Sequence, residues 1–72
     1  MTRYNGHRNW NYWNVSLWIN NDEGLYQAAL HCVRHNRTKT EAAKDFIALG
    51  YTKTRDGAIY TIPSVRAAMT EM

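Results

Sequence analysis

All three tryptophans of this chain fall within nine residues, as Trp10, Trp13 and Trp18, in the stretch Asn9-Trp10-Asn11-Tyr12-Trp13-Asn14-Val15-Ser16-Leu17-Trp18-Ile19-Asn20-Asn21-Asp22-Glu23-Gly24. A chain of 72 residues has little core to share out, because about 60–65% of its unfolded surface is buried on folding. Each indole carries roughly 150–250 Å² of surface. At about 25 cal/mol per Å² a single buried indole then contributes several kcal/mol before entropy is subtracted. Whatever this stretch becomes, the rest of the chain must pack to suit it.

As a helix, the stretch places Trp10, Trp13, Asn14 and Leu17 on one face with Trp18 at the edge, and Tyr12, Val15 and Ile19 on the other side. As a strand, Trp13, Val15, Leu17 and Ile19 alternate with Tyr12, Asn14, Ser16 and Trp18, and the residue types suit a strand. No second strong strand follows at hairpin distance, so a lone strand would leave its backbone groups unpaired. We therefore read residues 10–19 as a helix, with the strand as the alternative. Being apolar on more than one side, such a helix is expected at the centre of the core. Part of its aromatic surface, Trp10 and Tyr12, can instead serve as an exposed contact patch.

The same stretch resembles a segment of small proteins from bacteriophages and other mobile elements. Their pattern runs Asn-Tyr-x-Thr-Trp-x-Val-x-Leu-Trp-x-x-Asn-Asp-x-Gly. Asn9, Trp13, Val15, Leu17, Trp18, Asn21, Asp22 and Gly24 match it, whereas Trp10 and Tyr12 stand where those proteins usually have Tyr and Thr. The match covers the first third of the chain and is loose beyond. The resemblance implies an origin and no chemistry, and it transfers no catalytic residue.

The remaining chain reads as three more helices in one domain. Residues 1–8 read as a flexible polar arm. Asn9 or Asn11 is a cap for the first helix. Asp22 caps a second helix that runs to about His35, with Leu25, Ala29, Cys32 and Val33 as its apolar stripe. Thr38 or Thr40 caps a third, through about Leu49, with Ala42, Ala43, Phe46, Ile47 and Leu49 inward and Gly50 as its left-handed stop. Residues 51–61 are rich in strand formers around Asp56-Gly57, a strong turn signal. They leave room for a short two-stranded hairpin leaning on the helices. Pro63 suits the first turn of a last helix to about Thr70, with Ile62, Val65, Ala68, Met69 and Met72 inward. The expected fold is mainly α, about four short helices in one small domain.

Catalytic and metal chemistry find little footing. His31 and His35 stand at i, i+4, a spacing that suits two ligands of one metal. No Glu follows the first His as in a metalloprotease, and His7 is the one histidine left to add. Cys32, the single cysteine, cannot form an internal disulfide and falls on the apolar stripe, where a thiol is inert. No nucleophile–base–acid arrangement and no phosphate-binding glycine loop occurs. Glu41 and Asp45 lie one turn apart on a solvated face beside Lys44. The expectation is therefore a non-enzyme without metal or cofactor.

The net charge of +3 permits an anionic partner without demanding one. It is uneven: Arg3 and Arg8 precede any acid, and residues 31–39 hold Arg34, Arg37, Lys39, His31 and His35 with no acid. With Lys53 and Arg55 these suggest a basic patch beside Trp10 and Tyr12, of the mixed kind nucleic acids use. We expect partner contacts at Trp10, Tyr12, Arg3, Arg8, His31, Arg34, Arg37 and Lys39. No apolar run spans a membrane and no signal peptide opens the chain, so the expected place is the host bacterial cytoplasm. The expected function is that of a phage or mobile-element accessory protein that binds and inhibits a host protein, such as an anti-CRISPR or anti-restriction inhibitor. The alternative is a small basic nucleic-acid-binding protein, and a third reading covers the aromatic surface with a second copy in a homodimer.

Overall fold

The computed structural model describes residues 9–70 and residue 72. The expected N-terminal arm, with Arg3 and Arg8, lies outside the described residues. Four helices follow one another: α1 (Trp10–Asn21), α2 (Glu23–Arg34), α3 (Lys39–Ala48) and α4 (Ile62–Ala68). The mainly α architecture is thus as the sequence indicates.

Each helix starts on a side-chain cap. The Asn9 side chain accepts from the Tyr12 backbone amide, Asp22 from Leu25 and Thr38 from Glu41. Such a bond satisfies one of the amides that the first turn leaves unpaired. Thr61 and Ser64 cap α4 reciprocally: each side-chain oxygen accepts from the other's backbone amide, at 3.2 and 3.0 Å. Pro63 fits within the first turn, where its missing donor costs nothing. Asp22 both ends α1 and caps α2. With one residue between them the two helices must turn a sharp corner. Gly50 closes α3 at φ +107°, a backbone region that side chains with a Cβ avoid.

α1 is not the wholly central helix expected: it turns inward only the side that carries Asn14, Val15 and Ile19. Val15 and Ile19 are fully buried and Asn14 nearly so, while Trp10 and Leu17 are 40% and 38% exposed. None of the three tryptophans is fully buried. The core is built from Phe46, Ile19, Met69, Val15 and Val65, with Ala29, Ala42, Ala43, Ala58 and Ala68 between them. The helical alanines allow the helices to approach closely, and at α1 a close approach favours compact β-branched side chains over an indole. Leu49 is a second correction. It caps the end of α3 and is 62% exposed, beyond the last turn that faces the core.

The expected hairpin contracts to a single antiparallel bridge, Lys53 to Ile59. Backbone bonds from Thr54 to Ala58 (2.8 Å) and from Tyr60 to Thr52 (3.0 Å) flank it. Gly57, at φ +96°, closes the turn by donating to the Thr54 carbonyl at 3.0 Å. This small unit leans on the helices as expected. Tyr51 stacks on Phe46 with ring centroids 4.6 Å apart, and Tyr60 meets Phe46 edge-on at 5.6 Å, both favourable arrangements for aromatic rings. Asn36 ties α2 to α3 by donating to the Cys32 carbonyl and to Asp45, each at 2.8 Å.

Candidate functional site

Three α1 side chains at i, i+3 and i+7 hold the 52–60 hairpin. Asn11 pairs with the Ile59 backbone as a strand would, donating to its carbonyl at 2.9 Å and accepting from its amide at 2.8 Å. Asn14 accepts from the Thr54 hydroxyl at 2.6 Å and donates to Asp56 at 2.9 Å. The Trp18 indole nitrogen donates to the same Asp56 oxygen at 3.0 Å. Thr54 in turn accepts from the Ala58 amide at 3.0 Å. The spacing puts all three on one stripe of the helix, between the buried face and the exposed one.

The two donors that converge on Asp56, Asn14 and then Trp18, hold its carboxyl below the ordinary aspartate range, with a smaller opposing effect from desolvation. Trp18 is thereby fixed at its edge, and the Arg55 guanidinium lies over its face, 5.9 Å from the ring centroid.

Two open depressions adjoin along Trp18 and Asp22. The larger, of about 380 Å³, lies between the α1–α2 corner and the hairpin, with Leu25, Tyr51, Lys53 and Arg55 among its walls. The smaller, of about 270 Å³, is lined by Leu17, Trp18, Asn21 and Asp22. Among the described residues neither Lys53 nor Arg55 has a carboxylate partner. Tyr60 also lines the larger depression. Burial raises its phenol above the ordinary tyrosine value, and Tyr51 and Asp22 add to the effect.

The residues singled out from sequence are scattered. Trp10 is exposed at the start of α1, and Tyr12 is half-buried. His31 and His35 are exposed neighbours with ring centroids 4.2 Å apart. Arg34 and Arg37 are exposed at the far end of α2, and Lys39 is half-buried with its ammonium 3.5 Å from the Thr70 carbonyl. Lys53 and Arg55 sit at the near end, beside Asp22 and Leu25. Twelve residues of helix separate the two groups by about 18 Å along the axis. The single basic patch is therefore not formed by these five residues. Cys32 is buried, and burial followed by the nearby Asp45 carboxylate raises its thiol above the ordinary cysteine value. Among the described residues no three His, Cys, Asp or Glu side chains are placed to hold a metal ion. No helix among them is long and apolar enough to cross a membrane.

Leu17, Trp18, Asp22, Lys53 and Arg55 were not picked out from sequence as one site. The available signal was the i, i+3, i+7 stripe of Asn11, Asn14 and Trp18, which marks a helix docked against a polar neighbour.

Fold and surface together define a small four-helix domain with a hairpin tied across its first helix and two adjoining depressions at the α1–α2 corner. The chain belongs to a family of unknown function (DUF7249), whose model matches residues 1–72. No curated protein and no solved structure matches it.

Proposed function

We propose that this domain acts by binding a protein partner, without catalysing a reaction. The observation that carries this reading is the outward face of α1. The twelve residues of that helix include no charged side chain, yet Trp10 and Leu17 stand 40% and 38% exposed on it. Large apolar groups kept in water on a helix with no charge of its own are what a partner-binding surface offers, and a folding core gains nothing from them. Most of the phage-like residues serve the fold itself. Asn9 and Asp22 cap helices, Val15 is core, Trp18 holds Asp56, and Asn21 donates to the Leu17 carbonyl. The Leu17 side chain serves none of these purposes, and it lines the smaller depression.

The partner in this reading is a host protein whose action the domain blocks, in the manner of an anti-CRISPR or anti-restriction inhibitor. The likeness of residues 9–24 to phage proteins supports that part. The test is size-exclusion chromatography with light scattering, before and after incubation with bacterial lysate. A discrete heavier complex is expected, containing one additional protein by mass, and lost on Leu17→Asp or Trp10→Ala while thermal unfolding stays unchanged. A chain that recruits nothing, or whose complex ignores both substitutions, overturns the reading.

The nucleic-acid alternative keeps one observation in its favour, the Arg55 guanidinium 5.9 Å over the Trp18 ring beside Lys53. It predicts binding that weakens steeply with salt. Retention of an oligonucleotide that is indifferent to salt removes it.

A further inference from the structure

We infer that the two depressions at the α1–α2 corner form one docking groove for a short acidic peptide segment that carries an apolar anchor. This rests on the protein-binding reading and specifies the partner's chemistry.

The groove changes character along its length. At one end, Leu17 and Trp18, with Asn21 and Asp22, line a mainly apolar recess of about 270 Å³, enough for one large aliphatic or aromatic side chain. At the other, Lys53 and Arg55 border a depression of about 380 Å³. Neither cation has a carboxylate partner among the described residues. The indole between the two ends is fixed by its bond to Asp56 at 3.0 Å, so it need not reorder on binding, which reduces the entropy a ligand must offset. An occupant that fits both ends puts an apolar side chain beside Leu17 and carboxylates at Lys53 and Arg55.

Asp22 decides between a peptide and a nucleic acid. Asp22 lines both depressions, with the exposed Glu23 next to it. A phosphodiester strand carries a negative charge at every nucleotide and so meets Asp22 with repulsion. A peptide can place an uncharged residue there, so the same carboxylate selects against polyanions. Asp22 also accepts from the Leu25 amide at 3.0 Å as the cap of α2, so it is held in place.

The experiment is selection of binders from a random displayed peptide library against the full chain. The expected enriched peptides carry Leu, Met, Phe or Trp followed within a few residues by Asp or Glu. Lys53→Glu with Arg55→Glu should lower their affinity about five- to tenfold and turn the enriched charge basic. Leu17→Asp should remove the apolar anchor and leave the acidic preference. All three positions are exposed, and circular dichroism confirms that each variant folds. Enrichment without acidic residues, or binding that the charge reversal leaves unchanged, overturns the inference, as does displacement of the peptides by a single-stranded oligonucleotide. If a lysate partner is captured and the peptides show no acidic bias, the inference falls and the protein-binding reading stands. If no partner and no peptide is captured, both fall.

Discussion

Asn14 and Asp56, 42 residues apart, meet in a 2.9 Å hydrogen bond that fastens the hairpin turn to the first helix. Asn14 is 1% exposed and occupies both functions of its amide, accepting from Thr54 at 2.6 Å while donating to Asp56. Asn11, one turn earlier, makes two bonds to Ile59 at the solvent edge.

Removing these two side chains should therefore cost different amounts. Asn14→Ala leaves the Thr54 hydroxyl without its acceptor in a buried site, a loss of about 1–3 kcal/mol. Asn11→Ala exposes groups that water can reach, a loss of about 0.5–1.5 kcal/mol. Urea unfolding of the two variants checks the order. With Thr54→Ala, Asn14→Ala should be non-additive, because both act on one bonded unit. Equal losses, or strict additivity, would mean that the hairpin is held elsewhere.

Asp56 links this junction to pH. Its folded carboxyl titrates below the ordinary aspartate range, so the unfolded chain takes up the proton first as acid is added. The stabilisation is present above the ordinary value and is lost as pH falls from there through the lowered folded value. Thermal unfolding from neutral pH downward should show a decline in that window, and Asp56→Asn should flatten it. A decline of the same depth in the variant assigns it to other carboxylates.

The three turn and helix glycines separate backbone strain from crowding. Gly57 and Gly50 have φ of +96° and +107°, and an added Cβ would meet no atom within 4 Å. Gly57→Ala and Gly50→Ala should each cost about 1 kcal/mol from conformation alone. At Gly24 the backbone is helical and a Cβ would lie 3.3 Å from the Asp22 carboxylate. The gain in helix propensity opposes this contact, so Gly24→Ala should stay within about 0.5 kcal/mol of the parent. Chemical denaturation of the three variants gives the comparison directly.

Cys32 should be slow to react. Its thiol is buried and raised above its ordinary value, so little thiolate forms and reagents reach it only through opening of the α2 packing. Modification by a disulfide reagent at neutral pH should run at least about a hundredfold slower than in urea. Equal rates would place the thiol at the surface.

What the sequence determined by itself is the local structure. Asn9, Asp22, Thr38 and Pro63 mark the helix starts, Gly50 and Gly57 mark the chain reversals, and the apolar stripe of α2 gives its inward face. These signals act over a few residues, through one hydrogen bond or one backbone angle, and can be read without knowing the neighbours. The orientation of α1 was not legible in this way. Its apolar side chains surround the helix, so periodicity names no inner face. Contact with small residues across the helix interfaces admitted Val15 and Ile19 and left Trp10 and Leu17 outside. The groove was equally hidden, since Leu17, Trp18 and Asp22 meet Lys53 and Arg55 only because Asn11, Asn14 and Trp18 bring the hairpin across α1. Such a junction depends on pairings about 40 residues apart, and only the tertiary structure decides those.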